Sequence, residues 1–143
     1  MLDTNIISYI IKNRDFSLID KFEKLSSDHI IAISSITVSE LYYGVKKKAS
    51  IKLEIAVSEF LLPLEKMSFD ENAALHYGEI RSELESKGKI IGANDLFIAA
   101  HARSINATLI TNNTREFNRV SNLKVEDWSK NKSKYNNYME RNI

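Results

Sequence analysis

Residues 93–113 read ANDLFIAAHARSINATLITNN, and two elements can be read from them. The first half, Ala93–Ser104, is apolar almost all round, as expected of a helix packed deep against a sheet rather than one with a solvated face. The second half closes on Thr108-Leu109-Ile110-Thr111, a short run bounded by polar residues and Asn112-Asn113, which is the pattern of a central strand in a parallel sheet. A buried helix leading into a buried strand is one turn of the βαβ repeat, so the rest of the chain is expected to supply more of the same.

Outward from this stretch the expectation holds. Ile30-Ile31-Ala32-Ile33 reads as a second buried strand, Met1–Leu2 as the stub of a first, and Leu123–Val125 as a last short one. Helical spacing places Ile6, Ile7, Ile10 and Ile11 on one side of residues 4–11, and Leu18, Ile19, Phe22 and Leu25 on one side of 17–25. Val38, Leu41, Tyr42 and Val45 repeat it, and a further helix over Ile51–Leu62 is closed by the single proline, Pro63. Ser68 and Glu71 form a capping box for a helix with the stripe Ala73, Tyr77, Ile80 and Leu84, ended by Gly88. The fold class is therefore α/β, a three-layer α/β/α sandwich with a central parallel sheet over residues 1–128.

Composition narrows the function classes. The 143 residues, 43% hydrophobic and 27% charged, suit one domain with an ordinary core. Twenty basic and 19 acidic side chains nearly balance, so bulk charge gives no sign of a nucleic-acid binder. The charge is uneven, however: residues 129–143 hold Lys130, Lys132, Lys134 and Arg141 against Glu140. They read as a basic, polar C-terminal tail with too little apolar content for a core of its own. The absence of cysteine excludes disulfides, thiolate zinc and a Cys nucleophile. With no apolar run near the roughly 20 residues of a membrane span, and no leader-like start, a cytoplasmic protein is expected.

In open parallel sheets ligands bind at the carboxyl ends of the strands. Asp3-Thr4-Asn5 follows the first strand and Thr111-Asn112-Asn113 the one ending near Ile110; Glu40 and Asp95 lie on helices beside those ends, and Glu116 follows five residues after Thr111. Each acid has an ordinary alternative. Asp3 could cap the next helix, Asp95 could complement a helix dipole, Glu40 could be solvated, and Glu116 could be a surface residue of a polar loop. Glu40 lies about 200° from Val38 on the helical wheel, off the apolar stripe. Together, however, four converging carboxylates repel one another and call for a cation. Oxygen donors without Cys or convergent His point to Mg²⁺ or Mn²⁺, which can support in-line attack on a phosphodiester. His29, His76 and His101 show no zinc spacing, and no Gly-rich phosphate loop or Gly-x-Ser-x-Gly elbow is present. Lys46, Lys47 and Lys48 end the helix of Glu40, where they either guide a nucleic-acid backbone or complement the helix dipole.

Four stretches in order carry a resemblance: MLDTN at 1–5, SSITVSELYYG at 34–44, IGANDLFIAAHA at 91–102, and TNNTREF at 111–117 followed by VEDW at 125–128. They resemble the motif set of the VapC-type toxins of the PIN-domain ribonuclease family. The resemblance implies an Mg²⁺- or Mn²⁺-dependent endoribonuclease with Asp3, Glu40, Asp95 and a fourth acid as catalytic residues, Asp3 and Asp95 being the direct metal ligands. It further implies structured RNA, especially tRNA, as substrate, a homodimer, and inhibition by a VapB-type antitoxin. Thr111 and Asn5 match ligand-orienting positions, and Asn113 stands where many relatives carry Asp, so the fourth acid falls to Glu116. The first strand is shorter than in relatives, which implies either a start further upstream or a less firmly anchored Asp3. A catalytically silent PIN-fold module binding RNA or an antitoxin is the alternative; a PIN-like DNA flap nuclease would need additional segments to grip duplex DNA.

Overall fold

A computed structural model describes residues 1–13 and 16–128; the basic tail expected at 129–143 lies outside the described residues. In chain order the elements are α1 (Thr4–Asn13), α2 (Phe16–Ser26), β1 (Ala32–Ser34), α3 (Ser35–Lys48), α4 (Ile51–Leu61), β2 (Glu65–Met67), α5 (Glu71–Ser86), α6 (Ala93–Ser104), β3 (Leu109–Ile110), α7 (Thr114–Phe117) and β4 (Val125–Glu126). β1 pairs with β2 and β3 with β4, both parallel. Leu2 bridges Ile33 and Ile110, also in parallel, and so joins the pairs into one sheet of order β2-β1-Leu2-β3-β4.

The stub expected at Met1–Leu2 is thus the centre of the sheet. Leu2 N donates to Ala32 O at 2.9 Å, Asp3 N to Ile110 O at 2.9 Å, and Ile110 N to Met1 O at 2.8 Å. Short as it is, the strand is held on both sides, and loose anchoring of Asp3 is not what the structure shows. Alternation along the strands divides the apolar side chains between two faces. Leu2, Ile33 and Ile110 enter one core with Ile6, Ile7 and Ile10 of α1, Leu41 and Val45 of α3, and Val57 and Leu61 of α4. Met1 and Leu109 enter the other with Ile80 and Leu84 of α5 and Leu96 and Ile98 of α6. Two cores on the faces of one parallel sheet make the expected three layers.

Several boundaries differ from the sequence reading. The second strand lies at Ala32–Ser34 rather than Ile30–Ile33; Ile30 is 81% exposed despite its β-branched side chain. β2, sequence Glu-Lys-Met, carries no apolar alternation because it is an edge strand whose pairing is backbone to backbone. The four-residue α7 lies where a polar loop was expected. The capping residue of α5 is Asp70, whose Oδ1 accepts from Ala73 N at 2.9 Å, not Ser68. Phe69 N donates to Ser35 Oγ at 3.1 Å, which ties the approach to α3 and starts the helix two residues later. Asp70→Ala is expected to lower stability by about 1 kcal/mol, while Ser68→Ala stays within roughly 0.5 kcal/mol, as urea unfolding will read. Gly88 does end the helix, at φ +63.

Two polar ties fix the helices that flank the carboxyl ends of the strands. Ser34 caps α3, its Oγ accepting from Ile36 N at 3.1 Å and lying 2.8 Å from Nδ1 of His101 in α6, which is 1% exposed. Burial pushes that imidazole below its usual pKa, so it is neutral and Nδ1 can accept the serine proton. Arg103 of α6 donates from Nε to His76 Nδ1 at 2.8 Å and from a terminal nitrogen to Glu79 at 2.6 Å, locking α6 to α5. His76 and His101 are thus structural tethers.

Candidate active site

Asp3 sits where the central strand stub passes into α1, and it is 1% exposed. Its Oδ1 accepts from Thr4 N at 2.8 Å and its Oδ2 from Thr111 Oγ1 at 2.8 Å. Thr111 Oγ1 in turn accepts from Asn113 N at 3.0 Å. Burial raises the Asp3 pKa and the nearby Glu40 charge adds to that, while the hydrogen bonds from Thr111, Thr4 and the Asn5 backbone oppose it. Asn5 therefore contributes through its main chain; its own side chain is exposed.

Glu40, on α3, is reached from the opposite direction: Thr4 Oγ1 donates to its Oε1 at 2.8 Å. Thr4 had not been singled out by sequence, although it stands in the Asp3-Thr4-Asn5 turn. Its backbone holds one carboxylate and its hydroxyl the next, so it couples Asp3 to Glu40. Asp95 lies in the first turn of α6, three residues after Gly92, where a Cβ would come 3.4 Å from Asp95 Oδ2. Asn113 Nδ2 donates to Glu116 Oε2 at 3.2 Å, fixing Glu116 on α7.

The structure therefore brings together all four acids. Its clearest electrostatic consequence is at Asp95, whose pKa is pushed up to about 7. Burial is the largest cause, followed by a hydrogen bond shared with Glu116 and by the charges of Asp3, Glu116 and Glu40. Among the described residues no three His, Asp or Glu side chains form a ready-made ligand cage. The Asp95 to Glu116 hydrogen bond and the threonine bonds to Asp3 and Glu40 engage the carboxylates with one another and with protein donors. The donor chemistry nevertheless fits a hard divalent cation: four carboxylates and no nitrogen or sulfur, with burial first and the neighbouring carboxylates second holding a proton on Asp95. A cation there would offset the repulsion among the carboxylates and favour the ionised form of Asp95.

The three lysines ending α3 do not act as a unit. Lys46 pairs with Glu54 at 3.4 Å, Lys47 lies over the ring of Tyr43 at 5.9 Å, and Lys48 lines a groove that leads to Glu40. Among the described residues no helix is long and apolar enough to cross a membrane.

The PIN domain profile matches residues 1–123 of this sequence. Ribonuclease VapC2 of Rickettsia felis is 48% identical over 131 residues, 91% of this chain and 98% of that protein. The tRNA(fMet)-specific endonuclease VapC of Shigella flexneri is 43% identical over 90% of this chain and 97% of its own. In the crystal structure of VapBC2 from Rickettsia felis bound to a DNA fragment from their promoter, one chain superimposes with a TM-score of 0.86. It is 46% identical, over 90% of this chain and 97% of that one.

Proposed function

Because this chain belongs to the PIN domain family, in its VapC group, we propose that it is the toxin of a toxin–antitoxin pair, a divalent-metal-dependent endoribonuclease acting in the cytoplasm on structured RNA of the tRNA class. The observation that carries this reading is the half-buried cluster of Asp3, Glu40, Asp95 and Glu116, in which burial, a hydrogen bond to Glu116 and the neighbouring charges raise Asp95 to about 7. The ribonuclease names of the relatives support the reaction, the tRNA(fMet) specificity named for one of them supports the substrate class, and the VapBC complex supports a VapB-type antitoxin as partner. The reading includes a homodimer; Leu75 and Ile90, 66% and 46% exposed, are among the apolar side chains left for such contacts.

In this reading Asp3 and Asp95 hold Mg²⁺ or Mn²⁺, with Glu40 and Glu116 completing the charge around it. Bound there, the cation supplies charge neutralisation at the scissile phosphate and acidifies an attacking water. The protein's own contribution is preorganisation. Thr111 and the Thr4 amide each fix one oxygen of Asp3, and the Thr4 hydroxyl fixes Glu40 Oε1, leaving Oε2 to take the proton from the water. Asn113 holds Glu116 in reach of Asp95.

Purified protein is expected to cut tRNA in Mg²⁺, to stop in EDTA, and to resume when Mg²⁺ or Mn²⁺ is restored. Glu116→Gln is expected to lower metal affinity and cleavage by about 10–100-fold, the usual cost of removing a group that orients a metal ligand. Equal affinity and rate in that variant would make Glu116 a surface residue, and cutting that persists in EDTA would overturn the metal-dependent mechanism.

A further inference from the structure

A groove of about 490 Å³ runs between α1, α3 and α4. That volume is within the roughly 300–1,000 Å³ of small-ligand clefts. One end is the hydrogen-bonded pair Thr4 and Glu40; the other is a triangle of Lys12, Lys48 and Lys52. Thr4 to Lys12 on α1 and Glu40 to Lys48 on α3 each span eight helical steps, so the lysines stand about 12 Å from the carboxylate end. No ion pair engages any of the three lysines among the described residues; the nearby Glu54 is taken by Lys46. The floor is apolar, made by Leu41, Leu53 and Val57. The wall is open because position 44 is glycine: a Cβ there would meet nothing within 4 Å.

We propose that this groove is the subsite for the one or two nucleotides of the RNA strand that lead away from the scissile phosphate, with unstacked bases on the Leu41 and Val57 floor and phosphates on Lys12, Lys48 and Lys52. The inference rests on the nuclease reading above and extends it to how the strand is held. Three features select a nucleic acid as occupant. The groove ends at Glu40, the member of the acid cluster that lines it, so a strand cut at that cluster has a path to follow. Its positive charge is confined to the end remote from the carboxylates, matching a polyanion whose one neutralised phosphate lies among them. Its apolar floor suits bases presented singly, the form in which RNA sequence is read. Lys46 and Lys47 have no part in it.

The test measures binding of a fluorescein-labelled, single-stranded oligoribonucleotide of mixed sequence to the full chain in EDTA, where cutting stops, by anisotropy across a salt series. Lys12→Ala/Lys48→Ala/Lys52→Ala is expected to weaken binding at least tenfold and flatten the log–log salt slope by about 0.7–1.4, at roughly 0.7 for each of the one or two phosphates no longer neutralised on a single strand. The triple Lys→Arg variant should restore both. Gly44→Leu fills the groove without a clash in the helix; by keeping the strand off the three lysines it should weaken binding and flatten the salt slope as the lysine variant does, although no cation is removed. Unchanged affinity and slope in both variants, in a protein that still cuts tRNA in Mg²⁺, overturn the subsite and leave the nuclease reading standing. Variants that bind RNA normally but lose a VapB-type antitoxin also overturn it and give the groove to that protein. A wild-type chain that neither cuts nor binds RNA defeats the nuclease reading, and the subsite with it.

Discussion

Asp95→Asn is expected to reduce tRNA cleavage by about 10³-fold, with the protein fully folded. The factor corresponds to the several kcal/mol of transition-state charge stabilisation that a bound divalent cation contributes. The side chain is half-buried at the start of α6, asparagine has the same shape, and its amide can still donate to Glu116. Asp3→Asn should be as inactive but not as innocuous. Both oxygens of Asp3 accept hydrogen bonds, from Thr4 N and Thr111 Oγ1, in a site 1% exposed. An amide must turn a donor toward one of them, at a cost of about 1–3 kcal/mol. Single-turnover cleavage and urea unfolding of the two variants separate the effects. Cleavage by a folded Asp95→Asn protein at the wild-type rate would remove Asp95 from the site.

The second large effect is a dependence of metal-free stability on pH. The folded protein holds the Asp95 proton up to about pH 7, whereas the unfolded chain releases it near the ordinary aspartate value of 3.8. A pKa raised by folding stabilises the native state fully below the unfolded pKa, and that contribution is lost as pH rises toward the folded one. A shift of this size is worth about 4 kcal/mol in a fully buried group; with Asp95 half solvated, screening reduces it to about 1–2 kcal/mol. In EDTA the wild type should therefore lose about that much between pH 4 and pH 7 relative to Asp95→Asn, a comparison that cancels the other titrations. Asp3, raised for the same principal reason, acts in the same direction on the absolute stability of each protein. Adding Mg²⁺ at pH 8 should restore stability, by about 2.7 kcal/mol at a hundred times its dissociation constant, and should do much less for Asp95→Asn. Parallel pH profiles for the two proteins would mean that Asp95 holds no raised pKa in the folded protein.

The sequence by itself determined what depends on chain-local pattern. The largely apolar Ala93–Ser104 and the stripe Ala73, Tyr77, Ile80, Leu84 specify helices because burial of apolar side chains is their main stabilisation. The order of strands and helices specifies a parallel sheet because only crossover connections join parallel neighbours. The positions of Asp3 and Asp95 were legible for the same reason, since a residue just past a strand or in the first turn of a flanking helix has its place fixed by the fold class; Glu40, further along its helix, stood out by lying off the apolar stripe, and Glu116 mainly through the resemblance of its loop.

Tertiary structure alone decided the rest. Glu65–Met67 forms a strand only because β1 offers an open backbone edge, a force that leaves no mark on side-chain pattern. Asp70 rather than Ser68 caps α5 because Ser35, thirty-four residues away from Phe69, takes that residue's amide. The Thr4 hydroxyl reaches Glu40, the lysines of α3 part toward Glu54, Tyr43 and the groove, and Gly44 opens that groove's wall. Apart from Lys47 over Tyr43, a neighbour on the same helix, these features depend on how separate elements pack against one another and on the sheet, which no local period encodes.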